Sequence, residues 1–136
     1  MNINWKPNYI PGDLVYNHKG EVIRITSSYL KGTRLFYYKT DEIGESIGCI
    51  LEEALKPIPL TPEIVEKNGW KKEMYHDWRH YITLERTFLY LSDGVAIDGA
   101  FSVCVGLDMS EIASIRFVHE LQHILFGLGL NSEMEV

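Results

Sequence analysis

Three prolines fall within six residues of the segment Lys56-Pro57-Ile58-Pro59-Leu60-Thr61-Pro62. Each fixes φ at about −65° and lacks a backbone N–H, so neither a helix interior nor a central strand can run through it. The segment reads as an extended linker and sets a boundary, with residues 1–58 on one side and 59–136 on the other. Directly after it, Thr61 suits an N-cap, Pro62 the first helical position, Glu63 the positive end of the helix dipole and Gly69 a stop. These residues predict a short helix over 62–68.

Upstream of the prolines the chain reads as short strands. Pro11-Gly12-Asp13 is a turn before Leu14-Val15-Tyr16. Asn17-His18-Lys19-Gly20 is a second turn, before a strand over Glu21 to Thr26. Thr33-Arg34-Leu35-Phe36-Tyr37-Tyr38 is rich in β-formers, and Gly44 to Leu51 supplies a fourth strand with Gly48 as a possible bulge. Closely spaced strands joined by tight turns predict a small β-barrel, whose closure hides the sheet edges. Downstream, Arg79 to Leu84 and Thr87 to Leu91 read as hairpin partners, and Phe101 to Gly106 as a further strand. Asp93-Gly94 and Asp98-Gly99 are turn dipeptides. A helix is expected to open at Ser110 or just before and to run to about Phe126, stopped by Gly127 and Gly129. The fold expected is α+β: a Src-homology-3-like barrel, a short helix, an antiparallel sheet and a C-terminal helix.

Composition narrows the function classes. Of 13 basic and 19 acidic side chains, residues 1–58 hold seven of each, leaving six basic and twelve acidic in residues 59–136. The whole net charge of −6 therefore sits in the second part. Phosphate binding needs a basic face, so that part is a poor nucleic-acid partner. No apolar run has the length of a membrane span, and the first residues lack the pattern of a secretory signal. Cys49 and Cys104 form no CxxC pair and suit free thiols in a reducing cytoplasm. Oligomeric state is open.

His119-Glu120-Leu121-Gln122-His123 is the motif that asks to be read as chemistry. On a helix, His119 and His123 share a face where two imidazoles can bind Zn²⁺, and Glu120 beside them can serve as general base on metal-bound water. A catalytic zinc normally takes a third protein ligand, and the positions three and six residues after His123 hold Phe126 and Gly129. Glu133 and Glu135 are expected in a frayed tail. Ile112, Ile115, Val118, Leu121, Leu125 and Leu128 meanwhile form a broad apolar stripe on the expected helix. His119 sits at its edge, and Arg116, Glu120 and His123 at its border or opposite, as on any sheet-packing helix. His76 and His80 are further candidate donors, although histidines in a Trp- and Tyr-rich strand serve equally as amphipathic side chains. Tyr9, Tyr16, Tyr29, Phe36, Tyr37 and Tyr38 could line a peptide groove, but alternation sends about half of them inward. Trp5, Trp70 and Trp78 are expected to anchor packing between sheet and helix, and Lys71-Lys72 reads as a solvated turn. No phosphate loop, nucleophile elbow or Cys/His nucleophile pair is visible.

The run from Leu55 to Trp70 (LKPIPLTPEIVEKNGW) resembles a phrase in a large group of small uncharacterised proteins of gut anaerobes and their phages or mobile elements. Phe117 to Phe126 (FVHELQHILF) looks like the same group's C-terminal helix, and Gly12-Asp13-Leu14-Val15 like its opening. Members often carry Gln at the position of Glu120 and Asn at that of His123, so the resemblance implies a structural helix and carries over no catalytic residue. The opening is also similar to Src-homology-3, Tudor and transcription-factor barrels, which bind peptides or RNA. The expectation is a non-enzymatic protein-interaction module, with a zinc-dependent hydrolase using His119, Glu120 and His123 as the alternative.

Overall fold

The structure, a computed structural model, describes residues 9–31, 33–40, 47–75, 78–82, 89–93, 100–106 and 110–136. It is a mixed helix and sheet protein. The N-terminal sheet is antiparallel and comprises β1 (Leu14–Tyr16), β2 (Val22–Lys31), β3 (Thr33–Thr40), β4 (Ile47–Leu51) and β5 (Lys56–Pro57), in the order β4-β3-β2-β1-β5. A 3-10 turn, Glu52–Ala54, precedes β5. Among the described residues the edge strands β4 and β5 do not pair with each other. The β1–β2 turn forms as its residues demand: Asn17 Oδ1 accepts from the Lys19 and Glu21 N–H groups, both at 2.9 Å. The bulge lies at Thr26 in β2, where Ile25 opposes Tyr38 and Ser27 opposes Tyr37. The β3–β4 ladder runs in register through Gly48, so the bulge expected there is absent.

The linker is a seam. Within β5, Pro57 opposes Val15. Further on, Pro59 opposes Phe117 across an isolated bridge; the Leu60 N–H donates to the Arg116 carbonyl and the Val118 N–H to the Ile58 carbonyl, both at 2.8 Å. Pro59 occupies the position of that pair whose N–H is not called on, so the proline removes no ladder bond. Helix α1 (Pro62–Lys67) follows as expected, with Thr61 Oγ1 accepting from the Ile64 N–H.

The second sheet is an antiparallel meander, β10-β9-β8-β7-β6, made of β6 (Lys71–Tyr75), β7 (Trp78–Ile82), β8 (Leu89–Asp93), β9 (Phe101–Val105) and β10 (Ser110–Ile115). Lys71 and Lys72 are exposed residues of β6, not a turn. The expected hairpin is β7–β8, pairing Arg79 with Asp93 and Ile82 with Tyr90. The dipeptides Asp93-Gly94 and Asp98-Gly99 reach into residues outside those described. Residues 110–115 are strand, which corrects the expected helix start; helix α2 spans only Val118–Gly127. The physical reason is a bulge. Glu111 opposes Cys104 and Ala113 opposes Val103, so Ile112 is an extra residue, half-exposed, and the period of two is interrupted. Read straight through, that interrupted strand imitates helical spacing.

The main core draws on both sides of the proline segment. Leu14 from β1 packs with Ile58, Leu60, Val65, Trp70, residues from one face of the second sheet such as Leu91 and Val103, and Val118, Leu121 and Leu125 of α2. Its neighbour Val15 points the other way, into a second cluster with Tyr9, Ile23, Ile25, Ile50 and Leu55. Trp70 fills the anchoring role expected of it; Trp5 and the side chain of Trp78 lie outside the described residues. Among the described residues no helix is long and apolar enough to cross a membrane.

Candidate functional site

The motif residues meet the first turn among the described residues. Ile10-Pro11-Gly12-Asp13 closes with the Asp13 N–H donating to the Ile10 carbonyl at 3.1 Å, and Gly12 at φ 98° supplies the positive φ that the third position of a type II turn needs. This turn delivers a carboxylate that is only 2% exposed. Asp13 Oδ2 accepts from the Ile10 N–H at 2.8 Å and from His123 Nε2 at 2.8 Å, with Oδ1 3.0 Å from the same nitrogen. A carboxylate only accepts, so Nε2 carries the hydrogen in this contact.

Helix α2 sets the remaining side chains. Its N-cap is Phe117, which has no side-chain acceptor, and Glu120 compensates by reaching back. Glu120 Oε1 accepts from the Arg116 N–H at 3.0 Å and the Phe117 N–H at 3.1 Å, the returning half of a capping box. Two residues along, Gln122 is buried and fully used. Its Oε1 accepts from the Leu14 N–H at 2.9 Å, and its Nε2 donates to the Gly12 carbonyl at 3.0 Å and the Ser132 carbonyl at 3.1 Å. One amide thus ties together the first turn, α2 and the C-terminal tail.

His119 is 2% exposed, inside the packing and not at its edge. Its ring stacks on Phe117 at 5.9 Å and meets Tyr9 and His123 edge-on at 5.0 and 5.5 Å. Nδ1 is buried with no hydrogen-bond partner among the described residues. Burial, followed by the nearby His123, pushes its pKa down to about 4. Burial also pushes the Tyr9 hydroxyl well above its ordinary value, with Asp13 and then Glu52 adding to the effect. Tyr9 therefore belongs to the interior and lines no open groove. Tyr16 is partly buried against the main core, while the side chains of Tyr29, Phe36, Tyr37 and Tyr38 lie outside the described residues.

The donor set fits a catalytic zinc poorly. The carboxylate cast as general base is occupied by two backbone donors, and the His123 nitrogen nearest a carboxylate is spent on Asp13. Among the described residues no three His, Cys, Asp or Glu side chains are grouped to hold a metal ion. His76 and the side chain of His80 lie outside the described residues. Glu133 and Glu135 belong to a docked tail, correcting the frayed one expected: Met134 between them is 3% exposed. Cys104 is a buried free thiol whose pKa burial and then Glu111 push up, and the side chain of Cys49 is outside the described residues.

Sequence reasoning singled out His119, Glu120 and His123, named Tyr9 only for a peptide groove, and gave Asp13 and Gln122 no part in a site. A polar residue beside the apolar stripe, one position after Leu121 and four after Val118, was the available signal for Gln122; nothing local marked Asp13, whose partner is 110 residues away. Compared with known proteins, the chain matches no family model, no curated protein and no solved structure.

Proposed function

We propose that this chain is a non-enzymatic protein-interaction module, its N-terminal part a small curled barrel of the Src-homology-3 type. The observation that carries the reading is the employment of the motif's own side chains. Glu120 caps α2, His123 binds Asp13, and His119 fills an aromatic niche, so His-Glu-x-x-His builds a joint between sheet and helix. The barrel reading is supported by the strand order β4-β3-β2-β1-β5 and by the 3-10 turn that leads into β5. The acidic balance of residues 59–136 favours a protein partner over nucleic acid. Thiol burial and the resemblance to small proteins of gut anaerobes and their phages favour a cytoplasmic setting.

One observation favours the zinc hydrolase as a second reading: the buried Nδ1 of His119, without a partner among the described residues, on a ring 5.5 Å from that of His123. Elemental analysis of the purified chain and its His119→Ala variant decides between them. The module reading expects no stoichiometric zinc in either protein. One zinc per chain, lost in the variant, overturns it.

A further inference from the structure

Residues 131–136 have no regular secondary structure, yet they lie against the protein as a bound peptide would. Met134 is the one fully buried side chain among them, set into the main core, and Val136 packs at that core's rim two residues later. Glu135 between them is exposed, and a single side chain grips its backbone. The Glu135 N–H donates to Asn68 Oδ1 and Asn68 Nδ2 donates to the Glu135 carbonyl, both at 2.7 Å. The second Nδ2 hydrogen goes to the Ile64 carbonyl at 2.8 Å, which fixes the clamp to the end of α1. Lys67 Nζ donates to the Val136 carbonyl at 3.1 Å. Main-chain bonds that ignore sequence, combined with pockets for alternate side chains, are how an extended peptide is recognised.

The seat also has a charge preference. A cavity of about 630 Å³ opens along it, with Arg24, Lys67 and Asn68 on the side of the body and Glu133 and Glu135 on the side of the tail. Basic residues of the body and acidic residues of the segment that fills the seat thus line the same cavity. The interaction-module reading did not locate a surface; this seat supplies one, and the inference rests on that reading. We propose that the seat is a peptide-docking site filled by the chain's own tail. Its partner is an acidic extended segment of another protein, with apolar side chains at alternate positions, which displaces the tail.

A labelled peptide with the sequence of residues 130–136 tests this by fluorescence anisotropy on the full chain. A short tether gives the tail an effective concentration of order 1 mM, so a seat with an intrinsic Kd of about 0.1 mM is masked about tenfold. The Met134→Asp variant, with its tail dislodged, should bind the peptide saturably and about tenfold more tightly than the unaltered chain. Adding Asn68→Ala should abolish that binding. No saturable binding to a Met134→Asp chain that still melts cooperatively overturns the proposal. Should that variant not fold, Met134→Ala and the unaltered chain at millimolar peptide give the same decision. A dimer of the unaltered chain that dissociates on adding peptide would assign the seat to a second copy's tail and overturn the assignment to another protein. Absent peptide binding with no zinc present sinks this seat alone, whereas stoichiometric zinc sinks the reading beneath it.

Discussion

A neutral imidazole enters an apolar niche far more readily than a charged one, and His119 shows the consequence. With its pKa pushed down to about 4 from the ordinary 6.5, the folded chain refuses a proton that the unfolded chain accepts between those values. Stability owed to the neutral ring is fully present above pH 6.5 and falls as pH drops toward 4, by which point the loss amounts to about 3 kcal/mol. Urea unfolding at pH 7 and pH 5 should therefore show a loss on acidification that is smaller in His119→Leu; equal losses in both chains would contradict the assignment. Glu120 offers a different discrimination. Gln accepts the same backbone hydrogens, so Glu120→Gln should leave stability nearly unchanged while Glu120→Ala costs about 1 kcal/mol. These motif letters were legible in the sequence and their employment was not, because capping and metal chemistry draw on the same residue types at the same spacing.

Elements were legible where local chemistry decides them. Helix α1 follows from Thr61, Pro62 and Gly69 alone, and the strand Leu14–Tyr16 from the turns at either side. The end of α2 is equally local: the Gly129 N–H donates to the Phe126 carbonyl and the Leu130 N–H to the Leu125 carbonyl, with Gly129 at φ 73°. That is a Schellman closure, for which a residue bearing a Cβ is strained. Gly129→Ala should cost about 1 kcal/mol in thermal or urea unfolding, and a neutral outcome would mean that the tail does not depend on this closure. What stayed illegible was β10, because Ile112 is an extra residue in the ladder and places Ile115 three positions later, as a helix would. The start of α2 was illegible for a related reason. Its signal is Glu120 reaching back from the third position, with no side-chain acceptor at the N-cap itself.

At the scale of the whole molecule, the two parts divided by prolines are held as one body. Leu14 sits in the main core with α2, the proline segment bridges to Phe117, and Gln122 spans first turn, helix and tail. Gln122→Leu strands the buried Leu14 N–H and takes a donor from two part-buried carbonyls, at about 1–3 kcal/mol for the buried group left unsatisfied. It should lower stability by about 1–3 kcal/mol, with m unchanged in urea unfolding; no loss at all would mean that the Leu14 N–H finds another partner. None of this assembly could be read from the chain, since its partners lie up to 110 positions apart and each is ordinary in its own neighbourhood. The claim on which the account rests is that His-Glu-x-x-His serves this joint. Zinc titration followed by urea unfolding tests it most directly, because an ion bound by the native state raises stability with the logarithm of its concentration over its Kd. The account predicts an unfolding midpoint that stoichiometric zinc does not move. A rise that saturates at one ion per chain, and disappears in both His119→Ala and His123→Ala, would contradict it.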